Sequence, residues 1–279
     1  MARSIRTTRD SQKPVIDIFD SLAYRHSRWA VWTDFVAMAA CSLSNLDKAQ
    51  QPKREEMYLS IAKKYSRDDL EQFAAMFAAV VEALEEDCEQ DFLGDLFMRL
   101  ELGNEAHGQF FTPYHVCDFM AKMTFDDAAA EVERRGYISV NDPCCGAGAL
   151  LVAFANECRR QEINFQTSVL FVAQDIDITA ALMCYIQLSL LGCAGYVIIG
   201  NTLTTPPTEP LRNQNVWYTP MKIYSQKQNA LNETDRLELA KLLIKAGYAV
   251  RIGSEKPEGK PNGANIYYVE YSEGGKEFE

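Results

Sequence analysis

The chain has little of what would make it a metalloprotein, a disulfide scaffold, a membrane protein or a strong polyanion binder. Its three histidines, at 26, 107 and 115, show no ligand spacing with one another or with the cysteines, so no metal is implied. Eight cysteines (41, 88, 117, 144, 145, 158, 184 and 193) form no C-x-x-C pair and sit largely within apolar segments. That usage fits buried thiols in a reducing, cytoplasmic setting rather than a disulfide framework. No apolar run approaches the ~20 residues of a membrane span, and Phe73–Leu84, rich in Ala and Val, is short and helically amphipathic. The start, Met1–Lys13, carries Arg3, Arg6, Arg9 and Lys13 without an apolar stretch, which argues against a signal peptide and for a mobile arm. Positive charge is scarce: 28 Lys and Arg stand against 39 Asp and Glu, a net charge of −11. Such a chain is poorly suited to hold a nucleic acid by its phosphates alone.

What the sequence does contain is a set of strand-end motifs. Asn141-Asp142-Pro143-Cys144-Cys145-Gly146-Ala147-Gly148-Ala149 follows the apolar run Tyr137–Val140 and precedes Leu150–Ala155. This order predicts a strand, a tight turn and a helix, the element with which an α/β fold presents a nucleotide-like ligand. Gly146 and Gly148 let the backbone turn sharply and lie close to a ligand, and Asp142 can meet a positive group. Upstream, Gly108-Gln109-Phe110-Phe111-Thr112-Pro113 predicts a helix start with Thr112 as N-cap and Pro113 at the first position, continuing as a short helix to Met123. Its free N–H groups favour an anion such as a carboxylate. Downstream, Val169–Val172 leads into Gln174-Asp175-Ile176-Asp177, where Asp175 can accept from ribose hydroxyls and Asp177 can cap the helix 178–191. Tyr196–Ile199 leads into Gly200-Asn201-Thr202-Leu203, with Asn201 placed to bond an adenine edge. Each alone is ordinary punctuation; their order and strand-end positions together fit one cofactor, S-adenosylmethionine.

In these segments the chain resembles the N6-adenine DNA methylases of type I restriction-modification systems, and around Asp91-Phe92-Leu93-Gly94 the short methylase-like proteins of phages and mobile elements. The resemblance covers roughly residues 15–205. It implies an α/β, Rossmann-like methyltransferase core with an N-terminal helical region. S-adenosylmethionine would lie among Gln109, Phe111, Thr112, Asp142, Pro143, Gly146, Gly148, Asp175 and Asn201. It also implies direct transfer of the methyl group to an adenine amino nitrogen, and DNA engaged through a separate specificity subunit. Asn201 departs from the family's usual aspartate. The family's Asn/Asp-Pro-Pro-aromatic tetrapeptide, which holds the adenine and stacks on it, is missing. Thr205-Pro206-Pro207-Thr208 has the prolines without the amide or the ring. The segment Asn215-Val216-Trp217-Tyr218 keeps an amide and an aromatic three positions apart, so Asn215 and Tyr218 are the candidate catalytic pair. The competing interpretation of that segment is a packed strand from Val216 to Tyr224 with Pro220 at an edge. The competing function is a catalytically silent mobile-element relative that engages a host restriction or defence complex.

The chain divides on pattern into residues 1–103, 104–215 and 216–279. The first is helical, with helices near Val15–Tyr24, Ala30–Leu43, Lys53–Tyr65, Asp68–Glu86 and Asp91–Glu101. Ser66 to Asp69 gives the fourth a capping-box start, and Trp29, Trp32, Phe35, Met38, Tyr58, Phe73 and Phe77 form apolar stripes. The second is the cofactor core. The third holds a helix, Asn232–Lys245, and two strands, Tyr248–Ile252 and Ala264–Tyr271, joined by a loop with Lys256 and Lys260. These elements either complete the sheet or form a small wing.

Overall fold

A computed structural model describes residues 10–102, 111–206, 215–228, 248–255 and 266–273. Five helices lead the chain: α1 (Lys13–Ala23), α2 (Arg28–Leu43), α3 (Gln51–Ala62), α4 (Arg67–Glu86) and α5 (Phe92–Arg99). All five expected helices are present, with ends shifted by a few residues. The Ser66 hydroxyl accepts from the Asp69 amide while the Asp69 carboxylate accepts from Ser66, so the expected capping box starts α4. Trp32, Phe35, Met38 and Phe73 enter the core, whereas Trp29 keeps nearly half its surface exposed. Helix α2 packs along the later helix α9 (Ile178–Leu190), so the helical region and the α/β core share one apolar interior.

The core alternates strand and helix. Helix α6 (Tyr114–Arg135) leads through left-handed Gly136 into β1 (Ile138–Asp142), followed by α7 (Ala149–Arg160), short α8 (Phe165–Ser168), β2 (Val169–Asp175), α9 and β3 (Gly195–Ile199). β1, β2 and β3 are parallel neighbours in that order, so their carboxyl ends and following loops gather at one edge. β4 (Asn215–Tyr218) runs antiparallel on the outer side of β3. Among the described residues β1 pairs only with β2, which leaves it as the opposite edge of the sheet.

Three expectations change. α6 runs 22 residues rather than stopping at Met123, and its N-cap is Pro113, so Thr112 lies one residue outside and no side chain caps the helix. The strand of residues 215–218 does not continue to Tyr224: Pro220 opens helix α10 (Pro220–Gln228), a position where a missing N–H costs nothing. Because β4 belongs to the main sheet, the chain divides into compact units at 1–223 and 224–279, not at 215/216. In the second unit, β5 (Tyr248–Glu255) and β6 (Ile266–Glu273) form an antiparallel pair. The helix expected at 232–245 and the Lys256–Lys260 loop lie outside the described residues.

Candidate cofactor site

The amides of the loop after β1 are held by the Asp142 side chain and by the end of β2. The Cys144 amide donates to Asp142 Oδ1 at 3.1 Å, the Cys145 amide to the Gln174 carbonyl at 2.9 Å, and the Gly146 amide to Asp175 Oδ2 at 2.8 Å. The other oxygen of Asp175 accepts from the Asp177 amide at 2.9 Å, and Asp177 caps α9 through Ala180 N–H. One carboxylate thus ties the end of β2 to the turn after β1.

The two loop glycines serve different neighbours. Gly146 has φ +52°, and a Cβ there would lie 2.9 Å from the Phe111 ring. Gly148 has φ +98°, and its Cβ would lie 2.8 Å from Cys184 Sγ on α9. The first keeps the backbone flush beneath an aromatic wall; the second lets the loop approach α9. Below them Gln187 spans three pieces. Its Nε2 donates to Asp91 Oδ1 and to the Ala147 carbonyl, each at 2.8 Å, and its Oε1 accepts from the Leu93 amide. The start of α5 is thereby bound to the Gly loop. Asp91, buried at the base, also caps α5 through Gly94 N–H; burial pushes its carboxyl up to about 6.

Over this floor lies a cavity of about 440 Å³, within the range of small-ligand sites. Phe111, Thr112, Asp142, Gly146 and Asp175 line it, as the sequence led us to expect. Pro143, Gly148 and Asn201 do not: the Pro143 carbonyl accepts from the Thr202 hydroxyl, and Asn201 Oδ1 closes a turn with Leu203 N–H at 2.9 Å. Gln109 lies outside the described residues. Sequence reasoning missed Asp91, Cys117, Met120 and Leu150 as lining residues. Asp91 was visible as a helix-capping signal, but nothing local announced that α5 would turn its cap toward the loop.

The arrangement favours a cationic nucleoside over a dinucleotide. A pyrophosphate needs free loop N–H groups, and here the amides of 144, 145 and 146 are all taken by acceptors within the fold. The carboxyl of Asp142 is pushed up by burial and further by Asp175, an electrostatic strain that a positive ligand relieves. The oxygens of Asp175 each retain a second lone pair for ribose hydroxyls. At the other wall, the uncapped start of α6 beside Thr112 offers N–H groups to a carboxylate. Cation, ribose and carboxylate are the features of S-adenosylmethionine, and the residues fit it.

Asn215 and Tyr218 are not brought together at this cavity. Asn215 pairs with Ile199 at the carboxyl end of β3, while Tyr218 pairs with Tyr196 near the other end. Three residues of strand separate the two by about 10 Å. β4 also lies three strand spacings from β1, about 14 Å. Tyr218 packs edge-on against Tyr196, with ring centroids 5.8 Å apart. The strand register, which a four-residue motif cannot reveal, puts both members of the expected catalytic pair on the one edge strand, at its opposite ends and away from this cavity. Asn215 instead borders a separate cavity of about 390 Å³ with Lys53, Arg54 and Ile178.

A model of the family described as N-6 DNA Methylase matches residues 90–242. Curated proteins give no match to the sequence. One solved structure, from Listeria monocytogenes and assigned provisionally as a class I S-adenosylmethionine-dependent methyltransferase, aligns with 97% of this chain and 90% of its own at 13% identity, with a TM-score of 0.42.

Proposed function

The chain belongs to the N-6 DNA methylase family, with S-adenosylmethionine as the cofactor that membership supports, and from this we propose that it is the cofactor-holding component of an adenine N6-methylating machinery. When bound, S-adenosylmethionine supplies an electrophilic methyl on a sulfonium centre. The chain's part is to hold it. Asp175 receives the ribose hydroxyls, Thr112 and the start of α6 receive the methionine carboxylate, and Asp142 faces the cationic portion. Phe111 covers Gly146 and keeps water from that wall. The observation that carries this reading is the Gly loop, whose amides are satisfied internally while two carboxylates face the cavity.

The acceptor side rests on other atoms. Among the described residues no Asn-Pro-Pro-aromatic element faces the cavity, and the net charge of −11 disfavours DNA held by this chain alone. We infer that DNA is engaged through a partner subunit, as the resemblance to type I systems implies. The separation of Asn215 from Tyr218 also favours a second reading: a mobile-element homologue that binds cofactor without turnover and acts on a host defence complex. Calorimetry with S-adenosylmethionine, joined to transfer of labelled methyl into adenine-containing DNA with and without co-purifying proteins, tests both. Binding with transfer only in the presence of partner supports the first reading. Binding without transfer in either condition leaves the second. Absence of binding overturns both.

A further inference from the structure

Among the described residues three carboxylates line the cofactor cavity: Asp142 after β1, Asp175 after β2, and Asp91 from the start of α5. The third has more acceptor capacity than its capping role uses. Asp91 is only 1% exposed, yet it lines the cavity beside Cys117 and Ala147. Both hydrogen bonds it receives end on Oδ1, from Gln187 Nε2 at 2.8 Å and from the Gly94 amide at 3.0 Å. Among the described residues Oδ2 receives none, so one buried carboxylate oxygen is left to accept from the cavity side. Gly94 makes the place for it, because a Cβ there would collide with Oδ2. A helix cap accounts for Oδ1 alone.

We propose that Asp91 Oδ2 receives the α-ammonium group of S-adenosylmethionine and so selects for cofactors that carry an amino-acid head. This rests on the cofactor assignment made above. S-adenosylmethionine has two cationic centres, the sulfonium and the ammonium, and with Asp175 given to the ribose the cavity keeps two carboxylates to meet them. Position divides the two. The ammonium and the carboxylate of the ligand share one carbon, so the acceptor of the first must adjoin the α6 start that receives the second. Asp91 meets that condition. Cys117, in the first turn of α6, has its thiol pushed up to about 11 by burial, then by Asp91, and less by Asp142. Its Sγ also lies 3.8 Å from the Thr112 carbonyl. Gln187 fastens Asp91 to the Ala147 carbonyl of the Gly loop, so the acceptor is in place before the ligand arrives. Burial raises the Asp91 carboxyl to about 6, and a cation at Oδ2 restores what the loss of water removed.

Asp91→Asn in the full chain is the test, because asparagine keeps Oδ1 for Gln187 and Gly94 and puts a donor in place of Oδ2. Calorimetry compares S-adenosylhomocysteine, its analogue with hydrogen in place of the α-amino group, and 5′-methylthioadenosine, which lacks the whole amino-acid head. In the parent, loss of the amino group should weaken binding about 30-fold. Asp91→Asn should weaken S-adenosylhomocysteine by about the same factor, yet bind the deaminated analogue and 5′-methylthioadenosine at least as well as the parent does. Parent-like affinity of the variant for S-adenosylhomocysteine, or equal binding of the deaminated analogue by the parent, overturns the proposal and leaves the cofactor assignment standing. An equal loss of 5′-methylthioadenosine also overturns it, since Asp91 would then act only by holding the Gly loop. A parent that binds neither S-adenosylmethionine nor S-adenosylhomocysteine overturns the cofactor assignment itself, and this proposal with it.

Discussion

The cofactor end of the sheet and its β4 edge are built from similar side chains to opposite purposes. At the cofactor end, polar groups are turned inward to shape a cavity: Asp175 fastens two loops, Gln187 fastens α5 to the Gly loop, and Asp142 remains facing open space. At the β4 edge, polar and aromatic groups are consumed by packing. Arg54, almost fully buried on α3, donates to the Val216 carbonyl at 2.9 Å, pairs with Asp47 at 3.3 Å and lies 4.1 Å over the Trp217 ring. Trp217 in turn packs against Tyr185 on α9. An amide and an aromatic near one another in sequence therefore mean little until the strand register decides which end of the strand each occupies. The cofactor end is prepared for a ligand; the β4 edge joins the helical region to the sheet.

If that contrast holds, the largest effect on folding comes from the β4 edge and leaves the cofactor end to be judged only in folded protein. Arg54→Met keeps the volume but strands Asp47 and the Val216 carbonyl in a buried place, which costs about 3–5 kcal/mol. Denaturant unfolding should show it. A change below about 1 kcal/mol would mean that α3 and β4 are joined by apolar contacts alone.

Next in size is a pH effect on the floor of the cavity. Asp91 has its folded carboxyl raised to about 6 by burial, above its ordinary value near 3.8. The native state then binds the proton more tightly than the unfolded chain, so this residue's contribution is complete below about pH 4 and is lost as pH rises through about 6. Asp91→Asn removes the titration. Relative to that variant, the parent should lose roughly 2–3 kcal/mol between pH 4 and pH 7. Parallel stability curves for the two proteins would show that Asp91 stays ionised, held by Gln187 and Gly94 N–H.

Much of this was legible before any coordinates. The order of Gly146–Gly148, Asp175 and Asn201 behind apolar runs marked three strand ends correctly, because each strand end carries its own punctuation. The capping signals of Ser66 and Asp177 were local and held. What escaped depends on contacts distant in sequence. Gln187 bonds to Asp91 across 96 residues, and Arg54 bonds to Val216 across 162. Neither has a local pattern. Gly148 shows the same limit within a motif: its sequence context suggested a ligand, and its neighbour is Cys184.

A mid-sized effect sharpens the cofactor side. Asp175→Ala removes the acceptor of Gly146 and Asp177 N–H together with the ribose acceptors, and should weaken S-adenosylmethionine binding by about 2 kcal/mol, roughly thirtyfold by calorimetry. Unchanged affinity would place the ribose elsewhere.

The smallest effect belongs to Tyr218, and it discriminates best between the two ends. The ring is half-buried and meets Tyr196 edge-on across the strand pair; burial raises its phenol above the ordinary value. An aromatic pair of this kind is worth about 0.5–1.5 kcal/mol beyond its burial, so Tyr218→Ala should lower stability by about 1–2 kcal/mol, far less than emptying a closed core site. Tyr218→Phe keeps the ring and should be close to neutral. Neither change should alter cofactor affinity, because Tyr218 pairs near the amino end of β3 and the cavity lies past the carboxyl ends of β1 and β2. If methyl transfer is found with partner present, both variants should retain it. A loss of transfer in Tyr218→Ala, with the melt and cofactor binding preserved, would return the ring to the acceptor side and break the division drawn between the cofactor end and the β4 edge.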